Sequence, residues 1–76
     1  MKRIKLITIE DVMGFMEITN KYGGYIDVKC GSMTLDGRSI VGLFGLGLSR
    51  DLDIHMINDD KEECDRFYEE IKRWEV

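Results

Sequence analysis

Residues 2–7 alternate charged with apolar side chains, Ile4 and Leu6 against Arg3 and Lys5. That period of two predicts a strand with one wet face. The period changes at Thr8-Ile9-Glu10-Asp11. Thr8 is predicted to cap a helix, with Asp11, three residues on, as a weaker form of the capping-box partner. Val12, Phe15, Met16 and Tyr22 then fall near one helical face, with Met13 and Ile18 flanking it. Gly23-Gly24 is expected to end that helix. Residues 25–30 alternate again: Ile26, Val28 and Cys30 point one way, Tyr25, Asp27 and Lys29 the other. Gly31-Ser32 makes a tight connection to a short third strand, Met33-Thr34-Leu35, and the pair reads as a hairpin.

The Asp36-Gly37 turn opens the stretch around which the chain is organised, residues 36–48. Ser39 is a candidate N-cap, and Ile40, Leu43, Phe44 and Leu46 follow as a short helix with a broad apolar surface. Residues 52–57 give a fourth strand, with Leu52, Ile54 and Met56 on one face and Asp53 and His55 on the other. Asn58-Asp59-Asp60 then starts a helix. Asp60 and Glu63 form a capping-box-like pair, and the acidic run of residues 59–65 complements the helix N-terminus. Cys64, Phe67, Tyr68, Ile71 and Trp74 recur down one side.

The predicted order is β-α-β-β-α-β-α. Every strand has one apolar face and every helix one apolar stripe. The fold class expected is α+β: an open-faced sandwich of a four-stranded, mainly antiparallel sheet with three helices on one face. The other sheet face is expected to be wet, carrying Arg3, Lys5, Tyr25, Asp27, Lys29, Asp53 and His55.

The chain has 76 residues, which suits one domain spanning 1–76. A domain this small buries only about 60% of the surface its unfolded chain exposes. Net charge is −4 and the pI near 4.9. That balance argues against nucleic acid or an anionic membrane as partner, because both attract a positive footprint. No apolar run approaches the roughly 20 residues of a spanning helix. Polar Thr8, Glu10 and Asp11 interrupt any signal-peptide core after Lys2 and Arg3. The expected location is the cytoplasm. Cys30 and Cys64 form no CxxC pair and read as reduced core thiols. One histidine leaves too few soft ligands for a closed zinc site. The acidic run reads as capping and a solvated face, since it contains no EF-hand loop. No cofactor is expected.

The element order, together with Arg38-Ser39-Ile40-Val41-Gly42-Leu43-Phe44-Gly45-Leu46-Gly47, resembles HPr, the histidine-containing phosphocarrier of the bacterial sugar phosphotransferase system. The likeness runs from about residue 4 to residue 74. Thr19-Asn20-Lys21-Tyr22 resembles the end of the family's first helix, and Asp53-Ile54-His55-Met56 its fourth strand. In that family a phosphoryl-accepting histidine starts the first helix and is followed by Ala-Arg-Pro. Aligned back from Tyr22, that position is Thr8, and the run becomes Ile9-Glu10-Asp11. A phosphohistidine site needs an imidazole, free helix N–H groups and a cation. Thr8 offers a weak nucleophile beside two carboxylates and is expected to be a cap.

His55 lies on the predicted wet face, away from both helix starts. The resemblance makes Ser39 the candidate phosphorylation site, in the manner of the family's regulatory serine; a cap role alone is the favoured reading of the residue. Ile40, Val41 and Phe44 match the family's exposed docking surface, with core placement as the other reading for Ile40 and Phe44. The partners implied are phosphotransferase-system components, a serine kinase or a transcriptional regulator. The leading expectation is a non-catalytic, histidine-lacking HPr-like protein–protein module. The alternatives are a phosphocarrier that uses a non-standard residue, and a small-molecule-sensing domain of ACT type.

Overall fold

The alternating segments form the strands because each must turn its apolar side toward the same core. The computed structural model describes residues 1–39 and 48–76. Its elements are β1 (Lys2–Lys5), α1 (Ile9–Thr19), β2 (Tyr25–Cys30), β3 (Met33–Asp36), β4 (Asp51–Ile57) and α2 (Lys61–Ile71), followed by a 3-10 turn (Lys72–Trp74). The strands form one sheet in the order β1-β4-β2-β3, antiparallel at each pairing. This is the expected α+β open-faced sandwich. Among the described residues there are two α-helices rather than three. The helix expected from Ile40 to Leu46 falls on residues outside those described.

Ile4, Leu6, Ile26, Val28, Leu52, Ile54 and Met56 line one sheet face and are all buried. Val12, Phe15 and Ile18 of α1 and Phe67 and Ile71 of α2 close over them. Ile18 therefore belongs to the centre of the α1 stripe rather than its flank. Met13, the other predicted flank, stays 49% exposed. Met16, Tyr22, Cys64, Tyr68 and Trp74 pack at the margin of the core, as do Cys30 and Leu35. Both cysteines are free and only partly buried, so neither is a fully enclosed core thiol.

β3 and β4 each gain one residue, at Asp36 and Asp51, and α2 ends at Ile71 with Trp74 in the 3-10 turn; two larger shifts flank α1. β1 stops at Lys5, although Leu6 still faces the core and its carbonyl accepts the Ser49 N–H at 2.8 Å. α1 ends at Thr19, well before Gly23-Gly24. Thr19 is fully buried and its hydroxyl donates to the Met16 carbonyl at 3.0 Å. That bond competes with helix propagation in the last turn. Lys21 and Tyr22 then make tight turns back to Ile18 and Thr19. Gly24 has φ +77, and a Cβ there would meet the Ile57 carbonyl oxygen at 2.4 Å. Only glycine fits both that backbone conformation and that approach.

At α2, Asp60 caps as expected, accepting the N–H groups of Glu62 and Glu63 at 3.0 and 3.3 Å. Glu63 does not close the box. Its carboxylate accepts instead from Asn58 Nδ2 at 3.0 Å.

The other face of the sheet is wet and charged. Arg3 makes a two-point contact with Asp53, 2.8 and 3.3 Å, and Lys5 sits 3.5 Å from Asp51. Asp27 stands opposite His55, and exposed Tyr25 opposite exposed Ile57. The exposed ion pairs contribute little to stability.

Candidate functional site

Thr8 follows β1 and starts α1 as its N-cap, with extended backbone. Its hydroxyl accepts the Asp11 N–H at 3.1 Å. The Asp11 carboxylate answers: Oδ2 accepts the N–H of Thr8 at 3.1 Å and of Ile7 at 3.0 Å. The capping box is therefore complete rather than weak. Trp74 adds a contact across 63 residues of sequence, its indole N–H donating to Asp11 Oδ1 at 3.1 Å. The Trp74 ring stands edge-on to Phe15, and the Arg73 guanidinium lies 4.2 Å above it. The C-terminal residues reinforce this corner: Val76 N–H donates to the Arg3 carbonyl, and Lys2 pairs with Glu75 at 3.0 Å.

The Ile7 and Thr8 N–H groups, followed by the Trp74 indole, hold the Asp11 carboxyl below its ordinary value of 3.8. A carboxylate with a depressed folded pKa stabilises the fold above its unfolded pKa, and that contribution is lost as pH falls through the folded value. Asp11→Asn is thus expected to lower the melting temperature at pH 7. The gap to the parent should begin to shrink as pH falls below about 4 and close once it passes below the folded value, where the folded parent also loses its anion. Trp74, the only tryptophan, reports the transition by fluorescence. A gap that stays constant from pH 7 to below the folded pKa would contradict this role for Asp11.

The second candidate, Ser39, lies beyond β3. Its N–H donates to the Asp36 carbonyl at 3.0 Å, and the residue is partly buried. The turn before it is fixed on β2. Gly37 N–H donates to the Ile26 carbonyl at 2.7 Å, and a Cβ on Gly37 would meet Ile26 Cγ2 at 2.6 Å. The Arg38 guanidinium donates to the carbonyls of Gly24, at 3.0 Å, and Tyr22. Tyr22 in turn donates its hydroxyl to Glu70, which also pairs with Lys21. Burial first, then Glu70, pushes the Tyr22 phenol up to about 12. Lys21 first, then Tyr22, holds Glu70 low.

Strand register sets these two places apart. Lys5, near Thr8, pairs with Asp51 at the start of β4, whereas Asp36, near Ser39, faces Asp27, which faces His55. β1 and β3 are opposite edges of the sheet. The described residues therefore do not gather Thr8 and Ser39 into one site. Ile40, Val41 and Phe44 lie outside the described residues. His55 is on the wet face, remote from the Thr8 corner.

Compared with solved structures, the chain matches the crystal structure of HPr-C-His from Thermoanaerobacter tengcongensis with a TM-score of 0.66. Sequence identity is 23%, and the match covers 95% of this chain and 92% of that chain. The fold is that of HPr. No protein-family model and no curated protein matches the sequence. Among the described residues, no helix of this HPr-like fold is long and apolar enough to cross a membrane.

Within the HPr-like fold, the start of α1 has features that the linear sequence hid. Ile7, Ile9 and Met13 are 50%, 58% and 49% exposed, and Leu48 is 38% exposed. The spacing of Ile9 and Met13 was the available signal. They lie four apart, on a line that diverges from Val12 and Phe15 around the helix. The Trp74 contact had no such signal, because nothing local connects residues 11 and 74.

Proposed function

We propose that this chain is a histidine-lacking HPr-like protein that acts as a non-catalytic protein–protein interaction module. The observation that carries the reading is the Asp11 carboxylate, which already occupies the Ile7 and Thr8 N–H groups at the start of α1. In the family this chain resembles, that end of the first helix receives a phosphoryl group. Here it holds an internal anion, with a threonine hydroxyl in place of an imidazole. A second anion would have to displace the first against like charge.

What remains is recognition. The resemblance makes Ile40, Val41 and Phe44 the docking residues and Ser39 the position that a serine kinase would modify. Its partners would be phosphotransferase-system components or a transcriptional regulator. A phosphate on Ser39 would bring about −1.5 to −2 units of charge beside a turn tied to β2 and to the Tyr22–Gly24 loop through Gly37 and Arg38.

The test is transfer of labelled phosphate from phosphoenolpyruvate through Enzyme I. The expected result is no acid-labile label on this chain. Acid-labile label would overturn the reading and make the protein a phosphocarrier using another residue.

A further inference from the structure

A hollow of about 620 Å³ opens where the loop after α1 meets α2, lined by Lys21, Tyr22, Arg66, Glu69 and Glu70. Small-molecule sites run from about 300 to 1,000 Å³. One side of the hollow is held in place. The Tyr22 ring stands edge-on to buried Phe67, 5.6 Å between centroids. Its hydroxyl donates to Glu70 Oε2 and Lys21 donates to Oε1, so both oxygens of that carboxylate are in use. Arg66 and Glu69 differ. They are exposed and three apart on α2, and the side chain of neither makes a hydrogen bond or ion pair among the described residues. The hollow therefore offers an unused guanidinium and an unused carboxylate beside a fixed aromatic ring. A second hollow shares Lys21 and Glu70 and adds Gly14, Glu17, Ile18 and Arg73. Its arginine is already engaged in packing: a Cβ on Gly14 would meet Arg73 Nη2 at 3.1 Å, and the guanidinium lies over Trp74.

We propose that the hollow between Tyr22 and α2 binds a free amino acid with an aromatic or large aliphatic side chain, its carboxylate on Arg66 and its ammonium on Glu69. This goes beyond the protein-binding role proposed above and does not depend on it. The four charges that line the hollow, on Lys21, Arg66, Glu69 and Glu70, sum to zero. A ligand of no net charge with separated ends matches them. A phosphorylated or dicarboxylic ligand would set its second anion against Glu69 and Glu70, and a polyamine its second cation against Lys21 and Arg66. The forked donors of a guanidinium suit a carboxylate, and an ammonium suits Glu69 as a point charge. The Tyr22 ring and the methylene stems of Lys21 and Arg66 supply the apolar contact for the side chain.

Phenylalanine, leucine, N-acetylphenylalanine and phenylalanine amide provide the test. Each is titrated into the isotope-labelled chain while backbone amide shifts are followed. Phenylalanine and leucine should give saturable shifts centred on Lys21, Tyr22, Arg66, Glu69 and Glu70. The acetyl derivative lacks the ammonium and the amide lacks the carboxylate. Each should bind about tenfold or more weakly than phenylalanine, the loss of one charged hydrogen bond. Glu69→Gln should weaken phenylalanine by a similar factor and leave the acetyl derivative unchanged. Arg66→Gln should weaken phenylalanine likewise and leave the amide unchanged. Both substitutions are at exposed positions, and circular dichroism confirms that the variants are folded.

Absence of saturable shifts with both phenylalanine and leucine would overturn the proposal, as would shifts centred on the open sheet face or on the start of α1. Equal affinities for phenylalanine and its two half-charged derivatives would also overturn it, because apolar contact alone would then account for binding. So would a phenylalanine affinity that neither variant changes.

Discussion

Thr8→His alone should leave the chain unable to accept phosphate from phosphoenolpyruvate through Enzyme I, whereas Thr8→His with Glu10→Arg and Asp11→Pro should gain acid-labile label. The reason lies in the geometry of the cap. An imidazole at position 8 supplies the nucleophile, but Asp11 Oδ2 would still accept the N–H groups of residues 7 and 8, now at 3.0 and 3.1 Å. A phosphoryl group needs free N–H donors of the first helical turn and a nearby cation, and the Asp11 carboxylate stands beside them as a like charge. Asp11→Pro removes that charge. Proline is tolerated there because the Asp11 N–H bonds only the Thr8 hydroxyl, and the first helical bond within reach runs from Val12 to the Thr8 carbonyl. Glu10→Arg replaces a repelling charge with the cation that the resembled family has at that position. The triple variant should be less stable, because it gives up the capping box and the Trp74 contact together. Its labelling must therefore be read alongside a thermal melt. Label on Thr8→His alone would show that Asp11 is no obstacle.

Phe67→Ala should cost about 3–5 kcal/mol, the range for removing a large aromatic side chain from a packed core. Phe67 is fully buried and meets Tyr22 at 5.6 Å and Tyr68 at 5.4 Å between ring centroids. Both neighbours carry polar links that depend on their placement. Tyr22 donates to Glu70, and the Tyr68 hydroxyl accepts the Met56 N–H of β4 at 2.9 Å. The cavity therefore loosens the α2–sheet contact as well as the core. A domain of this size has a net stability of only about 4–11 kcal/mol. The melting temperature should fall by about 12 °C or more. Met13→Ser, on the exposed side of α1, should change stability by only about 0.5 kcal/mol or less. Chemical denaturation of the pair separates the two environments. A similar loss in both variants would mean that Met13 is part of the core.

These two residues illustrate how far the helical pattern could be read. The spacing of Phe67, Ile71, Cys64 and Trp74 marked the core stripe of α2 because that helix is strongly amphipathic. α1 is apolar nearly all round, with Ile9, Val12, Met13, Phe15, Met16 and Ile18 within eleven residues. A periodic reading cannot say which of two apolar sides faces the sheet. It puts Ile18 on the flank together with Met13 and leaves Ile9 unplaced. The end of α1 was missed for a related reason. Gly23-Gly24 is the obvious stop signal, but the bond from the buried Thr19 hydroxyl and the tight turns after it end the helix first.

Local chemistry was legible at several places where donor and acceptor lie within one turn, though not at the Thr19–Met16 bond or at Glu63. Thr8 with Asp11, the Asp60 cap, the Gly31-Ser32 hairpin and the Asp36-Gly37 turn all follow from short spacings and from propensities that act within a few residues. Period-two alternation likewise determined which side of β1, β2 and β4 is dry, and with it the sheet and its wet face, whereas β3 buries none of its residues. What only the tertiary structure decided are the meetings of distant residues: Trp74 on Asp11, Arg38 on the Tyr22 and Gly24 carbonyls, Arg3 with Asp53, and the separation of Thr8 from Ser39 across the sheet. These depend on strand order and on the seating of two helices. A hydrophobic pattern requires that apolar faces be buried together, but it does not specify which polar tips then come within hydrogen-bond reach.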